Sequence, residues 1–156
     1  MNVFTVLDNI EKCCIESTMG VYNTVVRRLR RLLRSGIFAL DSTIVETRPD
    51  FPGCGKTKRK KEGRPSDPPE YKYIYGFKVF VLYEIKSRII VAVKIVPANE
   101  DDHKYFLPMI RQGIHNCGKN RIETVIADRG FLDGAQLWEL KHRLKIDFII
   151  PAKAGM

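Results

Sequence analysis

The stretch Glu123–Leu132, ETVIADRGFL, decides the fold. Thr124-Val125-Ile126-Ala127 reads as a short apolar strand that ends on a single carboxylate, Asp128. Arg129-Gly130 turns the chain, and Asp133 opens a helix. An acid at the carboxyl end of a strand sits at the rim of a sheet, where α/β folds place ligands. Ile37-Phe38-Ala39-Leu40 has the same form and ends on Asp41, followed by Ser42-Thr43. If these two strands are parallel neighbours, Asp41 and Asp128 meet at one edge. Two hard oxygen ligands held together there suit Mg²⁺.

Downstream, Leu137, Leu140 and Leu144 give the helix after Asp133 one apolar stripe, and Phe148-Ile149-Ile150 forms a last strand closed by Pro151. Upstream, Glu100-Asp101-Asp102 complements the positive end of a helix whose stripe is Phe106, Ile110 and Ile114. Pro108 fits if that helix starts near Tyr105, because proline is tolerated only in the first turn. Asn116-Cys117-Gly118 stops it. Tyr75–Glu84 and Ile89–Val96 alternate with period two across a short polar connection, which predicts an antiparallel hairpin. Ile37 to about Thr47 is a β-branched strand.

The predicted order is a helical segment, then β-β-β-α-β-α-β. Three strands form an antiparallel meander, and two more arrive through right-handed parallel crossovers. The expected fold class is therefore α/β, a mixed sheet with flanking helices on both faces. The expected division is an N-terminal basic helical segment, residues 1–35, and a core, residues 36–156.

Residues 2–34 repeat apolar side chains at helical spacing, with Gly20 expected to break the helix in two and Arg27, Arg28, Arg30, Arg31 and Arg34 crowding its second half. Such a helix can lie on DNA or on a membrane surface. The simpler reading is a solvated helix whose leucines pack on the core. Residues 48–70 hold five prolines and the run Lys56-Thr57-Lys58-Arg59-Lys60-Lys61, with almost no apolar side chains. This composition predicts a mobile basic loop whose lysines meet phosphates without regard to sequence. Gly55-Lys56-Thr57 imitates the end of a nucleotide-binding loop. The full motif needs glycine where Asp50 stands, so that reading is rejected.

A formal net charge of +9 in 156 residues favours a polyanionic partner, nucleic acid first and an anionic membrane surface second. No apolar run approaches the ~20 residues of a membrane span, and no export signal is read, so the expected location is the cytoplasm. Cys13, Cys14, Cys54 and Cys117 form no C-x-x-C and no zinc spacing with histidine, and are read as reduced thiols.

Taken together, Ala39-Leu40-Asp41-Ser42-Thr43, Tyr75-Gly76-Phe77-Lys78, Ala127-Asp128-Arg129-Gly130-Phe131, Trp138 and Phe148-Ile149-Ile150-Pro151-Ala152-Lys153 resemble the DDE transposases of bacterial and archaeal insertion sequences, whose core is ribonuclease H-like. The resemblance runs from about Phe38 to the end of the chain. It implies metal-dependent cleavage and transfer of DNA strands, with Mg²⁺ or Mn²⁺ held by Asp41 and Asp128 and with Asp41 bridging two ions. It also implies a third acid, a glutamate on a helix beyond the last strand, which the 156 residues do not contain. The expectation is a truncated transposase that does not cut DNA when alone. Implied partners are DNA at transposon ends, and a further copy or a full-length transposase.

Other acids have simpler explanations: Asp101 and Asp102 at a helix start, Asp133 as an N-cap with Gln136 three residues on, Glu139 facing solvent, and Asp147 opening a strand. His103, His115 and His142 share no metal spacing. Arg129 suits either a scissile phosphate or an ion pair, and Lys78 either a backbone phosphate or solvent. Trp138 is expected in the core. The alternative function is a non-catalytic regulator that binds DNA or the transposase.

Overall fold

The computed structural model describes the backbone of residues 3–60 and 70–151, and the side chains of residues 16–59 and 70–151. The sheet has β1 (Ile37–Glu46) at its centre, with β2 (Gly55–Lys60), β3 (Tyr71–Glu84), β4 (Ile90–Pro97), β5 (Thr124–Ala127) and β6 (Asp147–Ile149) around it. β1 pairs antiparallel with β3, from Phe38↔Glu84 to Glu46↔Gly76. On its other side it pairs parallel with β5, from Ile37↔Thr124 to Leu40↔Ala127. β4 pairs antiparallel with β3, and β6 parallel with β5. The path β4-β3-β1-β5-β6 is the expected ribonuclease H-like order: a meander on one side of β1 and two crossover strands on the other.

β2 replaces the expected loop with a strand at residues 55–60. β3 is 14 residues long and outruns β4. β2 fills the edge left free, in register from Gly55↔Gly76 to Lys60↔Tyr71. Gly76 shows the join, since its carbonyl accepts from Ala98 N just past the end of β4 while Gly55 lies opposite it in β2. A side chain at Gly55 would run into Ala98 and Asn99, so only glycine lets the two strands meet end to end. Charged strands carry no apolar alternation, which is why composition alone misses this one; the backbone pairing of β3 supplies what burial does not. Residues 61–69, including Lys61, lie outside the described residues.

Strand alternation assigns the two faces. Phe38, Leu40, Phe80, Leu82, Val125 and Ala127 are buried and share one core with α1 (Val3–Leu29) through Val26 and with α2 (Phe106–Cys117) through Phe106, Met109 and Ile110. Leu140, just after α3 (Gly134–Glu139), joins the same core. The opposite face carries Ala39, Asp41, Thr43 and Val45 of β1 and Val79, Val81 and Tyr83 of β3, all partly or fully exposed. Helices on both faces were expected; among the described residues they cover one. Both crossovers step in the same direction across the sheet, from β4 to β5 and on to β6, and right-handed connections of that kind put their helices on the same side.

The helix boundaries follow local chemistry. α1 runs through Gly20 without the expected break, continuing into a 3₁₀ turn at Arg30–Leu32. One glycine costs only about 1 kcal/mol in a helix this long. A 3₁₀ turn at Asp102–Tyr105 leads into α2, which places Pro108 in the first turn, where it costs no hydrogen bond. Gly118, at φ 100°, ends α2. Asp133 caps α3 by accepting from Ala135 N at 2.9 Å and Gln136 N at 3.1 Å. None of the described helices is long and apolar enough to cross a membrane. Cys54 and Cys117 are free thiols.

Candidate active site

Leu40 and Ala127 are the last paired residues of the parallel β1–β5 ladder, so Asp41 and Asp128 come next in line on neighbouring strands. Leu40 and Ala127 point into the core. One step on, the alternation turns both aspartates to the open face, and both are exposed. Each carboxylate is oriented by the chain that follows it: Asp41 Oδ1 accepts from Ser42 N at 2.8 Å and Asp128 Oδ1 from Arg129 N at 2.7 Å. The second oxygen of each makes no hydrogen bond among the described residues.

The two acids differ in what holds them. Asp41 is carried by a strand that continues for five residues to Glu46. Asp128 ends its strand and begins a turn, Arg129–Phe131, which is anchored by Phe131. That ring is buried against Phe80, at 6.0 Å between centroids, and Phe106, at 6.1 Å. The turn is also braced from the side. Lys78 Nζ bonds Asp102 Oδ1, and Asp102 Oδ2 stands 3.1 Å from where a Cβ on Gly130 would lie.

Lys78 is not the solvent-facing lysine of the alternative reading: its side chain is 13% exposed, and its ammonium is held by Asp102 and by Glu100 O. It lies on the core side of β3, two residues from Phe80, where an ammonium group needs partners. Arg59 pairs with Glu46 at 3.0 Å, on the side of the ribbon away from the aspartates. Lys56 and Lys58 lie on the open face over tyrosine rings. Lys60 ends β2, with its side chain outside the described residues. Arg129 is exposed beside Asp128.

The remaining acids have partners elsewhere. Glu139 pairs with Arg111 at 2.6 Å, and Asp147 with Lys141. Trp138 is 55% exposed rather than in the core. Leu137 and Leu140 take the inward stripe, and Trp138 falls beside it, over His142 at 5.0 Å between ring centroids. His115 contacts Arg27, and the His103 carbonyl accepts from Gln136. Among the described residues no three of His, Cys, Asp and Glu are grouped closely enough to hold a metal ion. The site is a pair of carboxylates on one rim, of the oxygen type that suits a hard cation, without a third ligand.

A family model described as the transposase DDE domain matches residues 15–156. No curated protein matches the chain. Among solved structures, the chain is similar to a piggyBac transposase in a cryo-EM synaptic complex with hairpin DNA, at 10% identity and a TM-score of 0.49, over 78% of this chain and 24% of that one. The chain thus spans about a quarter of that transposase's length. With the family model covering nearly all of its length, this chain belongs to the transposase DDE domain family.

Proposed function

We propose that Asp41 and Asp128 are metal-binding carboxylates of a DNA transposase that hydrolyses and transfers phosphodiester bonds at transposon ends. The observation that supports this reading is the ladder register, in which Asp41 and Asp128 each follow the last paired residue of neighbouring parallel strands, with no cationic side-chain partner among the described residues. Their oxygens would hold Mg²⁺ or Mn²⁺; when bound, such ions activate the attacking oxygen and stabilise the leaving one. The chain's own contribution is position. Ser42 N–H and Arg129 N–H orient the carboxylates, and Phe131 and Asp102 fix the turn that bears Asp128. Arg129 is available to a DNA phosphate there, with the bidentate geometry that guanidinium offers.

Two carboxylates hold one ion weakly, because Mg²⁺ keeps most of its waters when it meets few protein ligands. A glutamate outside the described residues is therefore part of the proposal. On a labelled DNA end with Mg²⁺ or Mn²⁺, residues 1–156 alone are expected to give near-background cleavage. A longer polypeptide or a second chain bringing the third carboxylate restores it. Asp41→Ala or Asp128→Ala then lowers the rate by at least about 100-fold, the scale of misplacing a reacting group. Restored cleavage that survives either substitution overturns the reading. The incomplete ligand set favours a second reading, a DNA-binding regulator that does not cut; DNA binding with no cleavage, even when a third carboxylate is supplied, would select it.

A further inference from the structure

We propose that the β2–β3 ribbon is a track for unpaired nucleotides of a DNA strand, with tyrosine rings stacking on bases and lysines taking phosphates. The ribbon is where β3 runs on past β4 with β2 beside it, and the register pairs Lys56 with Tyr75, Lys58 with Tyr73 and Lys60 with Tyr71. Alternation along β3 puts Tyr71, Tyr73 and Tyr75 on the same side as Val81, the cross-strand partner of Asp41. The tyrosines thus continue the face that bears both aspartates. From Val81 to Tyr75 is about 20 Å of strand, the length of roughly six stacked nucleotides.

The two sides of the ribbon differ in charge. On the core side, Arg59 and Lys72 converge on Glu46, at 3.0 and 3.6 Å, which offsets one of their two charges. On the open side, neither Lys56 nor Lys58 has a carboxylate partner among the described residues; each sits over an aromatic ring instead. Lys56 Nζ is 4.4 Å from the Tyr73 ring centre and 5.8 Å from that of Tyr75, and Lys58 Nζ is 5.5 Å from that of Tyr73. An uncompensated cation beside a flat ring is a donor pair for phosphate and base together.

Phosphate binding alone accounts for the lysines and leaves the tyrosines without a role. Tyr71 and Tyr73 are 60% and 58% exposed, large rings left largely in water. Alternate residues on a strand are about 6.8 Å apart, twice the rise between stacked nucleotides, so each ring can meet a different base. In duplex DNA the base faces are covered by their neighbours, and only unpaired bases offer them. The proposal rests on the transposase reading only for taking DNA as the polyanion.

The test is fluorescence anisotropy in EDTA, with a labelled oligothymidylate and a duplex of equal length. The native chain should bind the single strand more tightly. Tyr71→Ala/Tyr73→Ala should weaken single-strand binding by at least about ten-fold, with the duplex affinity and the salt slope unchanged. Phenylalanine at both positions should restore it, which a folding defect would not allow. Lys56→Ala/Lys58→Ala should weaken both ligands and lower the salt slope by about two. Equal loss on both ligands in the tyrosine variant, unchanged single-strand binding, or no single-strand preference in the native chain overturns the proposal. All arms are read in EDTA, where no divalent ion is available to Asp41 and Asp128, so failure of the track and failure of the metal site are read separately.

Discussion

Lys78 Nζ lies 2.7 Å from Asp102 Oδ1 and 2.6 Å from Glu100 O, and so ties the middle of β3 to the turn that starts α2. The same aspartate faces Gly130 in the turn that follows Asp128, its Oδ2 standing 3.1 Å from where a Cβ there would lie. Lys78→Met leaves a partly buried carboxylate unpaired and is expected to destabilise the fold by about 1–3 kcal/mol. Lys78→Met/Asp102→Leu should recover part of that loss, because no charge is then left alone. Urea denaturation of the single and double variants checks this; a single variant as stable as the native chain would remove the brace from the account.

Glu84 is fully buried at the end of β3 and accepts from Ser35 Oγ, Ser87 N at 2.6 Å, Lys86 N at 3.2 Å and Arg34 N at 3.5 Å. Burial alone would push its carboxyl up, but these donors outweigh it and bring it from 4.5 down to about 2. A carboxyl lowered by folding contributes stability that is fully present above its ordinary value and is lost as pH falls towards the folded one. Stability should therefore decline from about pH 4.5 down to about pH 2. Glu84→Gln should lose about 1–3 kcal/mol at pH 7 and show a flatter acid limb, measured by denaturation across that range.

Gly20 lies inside α1, and a Cβ there would meet nothing within 4 Å. Gly20→Ala is expected to stabilise by about 0.5–1 kcal/mol through helix propensity. Thermal unfolding checks it; a lower midpoint would mean that α1 is not continuous through this residue.

The parts of the fold legible in the sequence are those where burial writes a pattern. Val125 and Ala127 alternate with Thr124 and Ile126, and Phe38 and Leu40 with Ile37 and Ala39, so the two acid-ended strands and their rim can be read from residue order alone. β2 cannot, because a largely exposed strand is written in lysine, arginine and threonine, without apolar alternation. Lys78 and Glu84 escape sequence reasoning for the opposite reason. Both look like surface charges in the sequence, and only the approach of Asp102 in one case and Ser35 in the other makes their burial tolerable. Trp138 reads as core by its chemistry, but its helical phase, one step from Leu137, puts it outside.

Whether Asp41 and Asp128 share one cation is read out by Mn²⁺ titration followed by NMR. A paramagnetic ion broadens the amide signals nearest to it. Sub-stoichiometric Mn²⁺ should broaden Asp41, Ser42, Asp128 and Arg129 together, and Asp41→Ala should remove the broadening at Asp128 and Arg129 as well as its own. Broadening centred on other residues, or broadening around Asp128 that persists unchanged in Asp41→Ala, would contradict a shared cation.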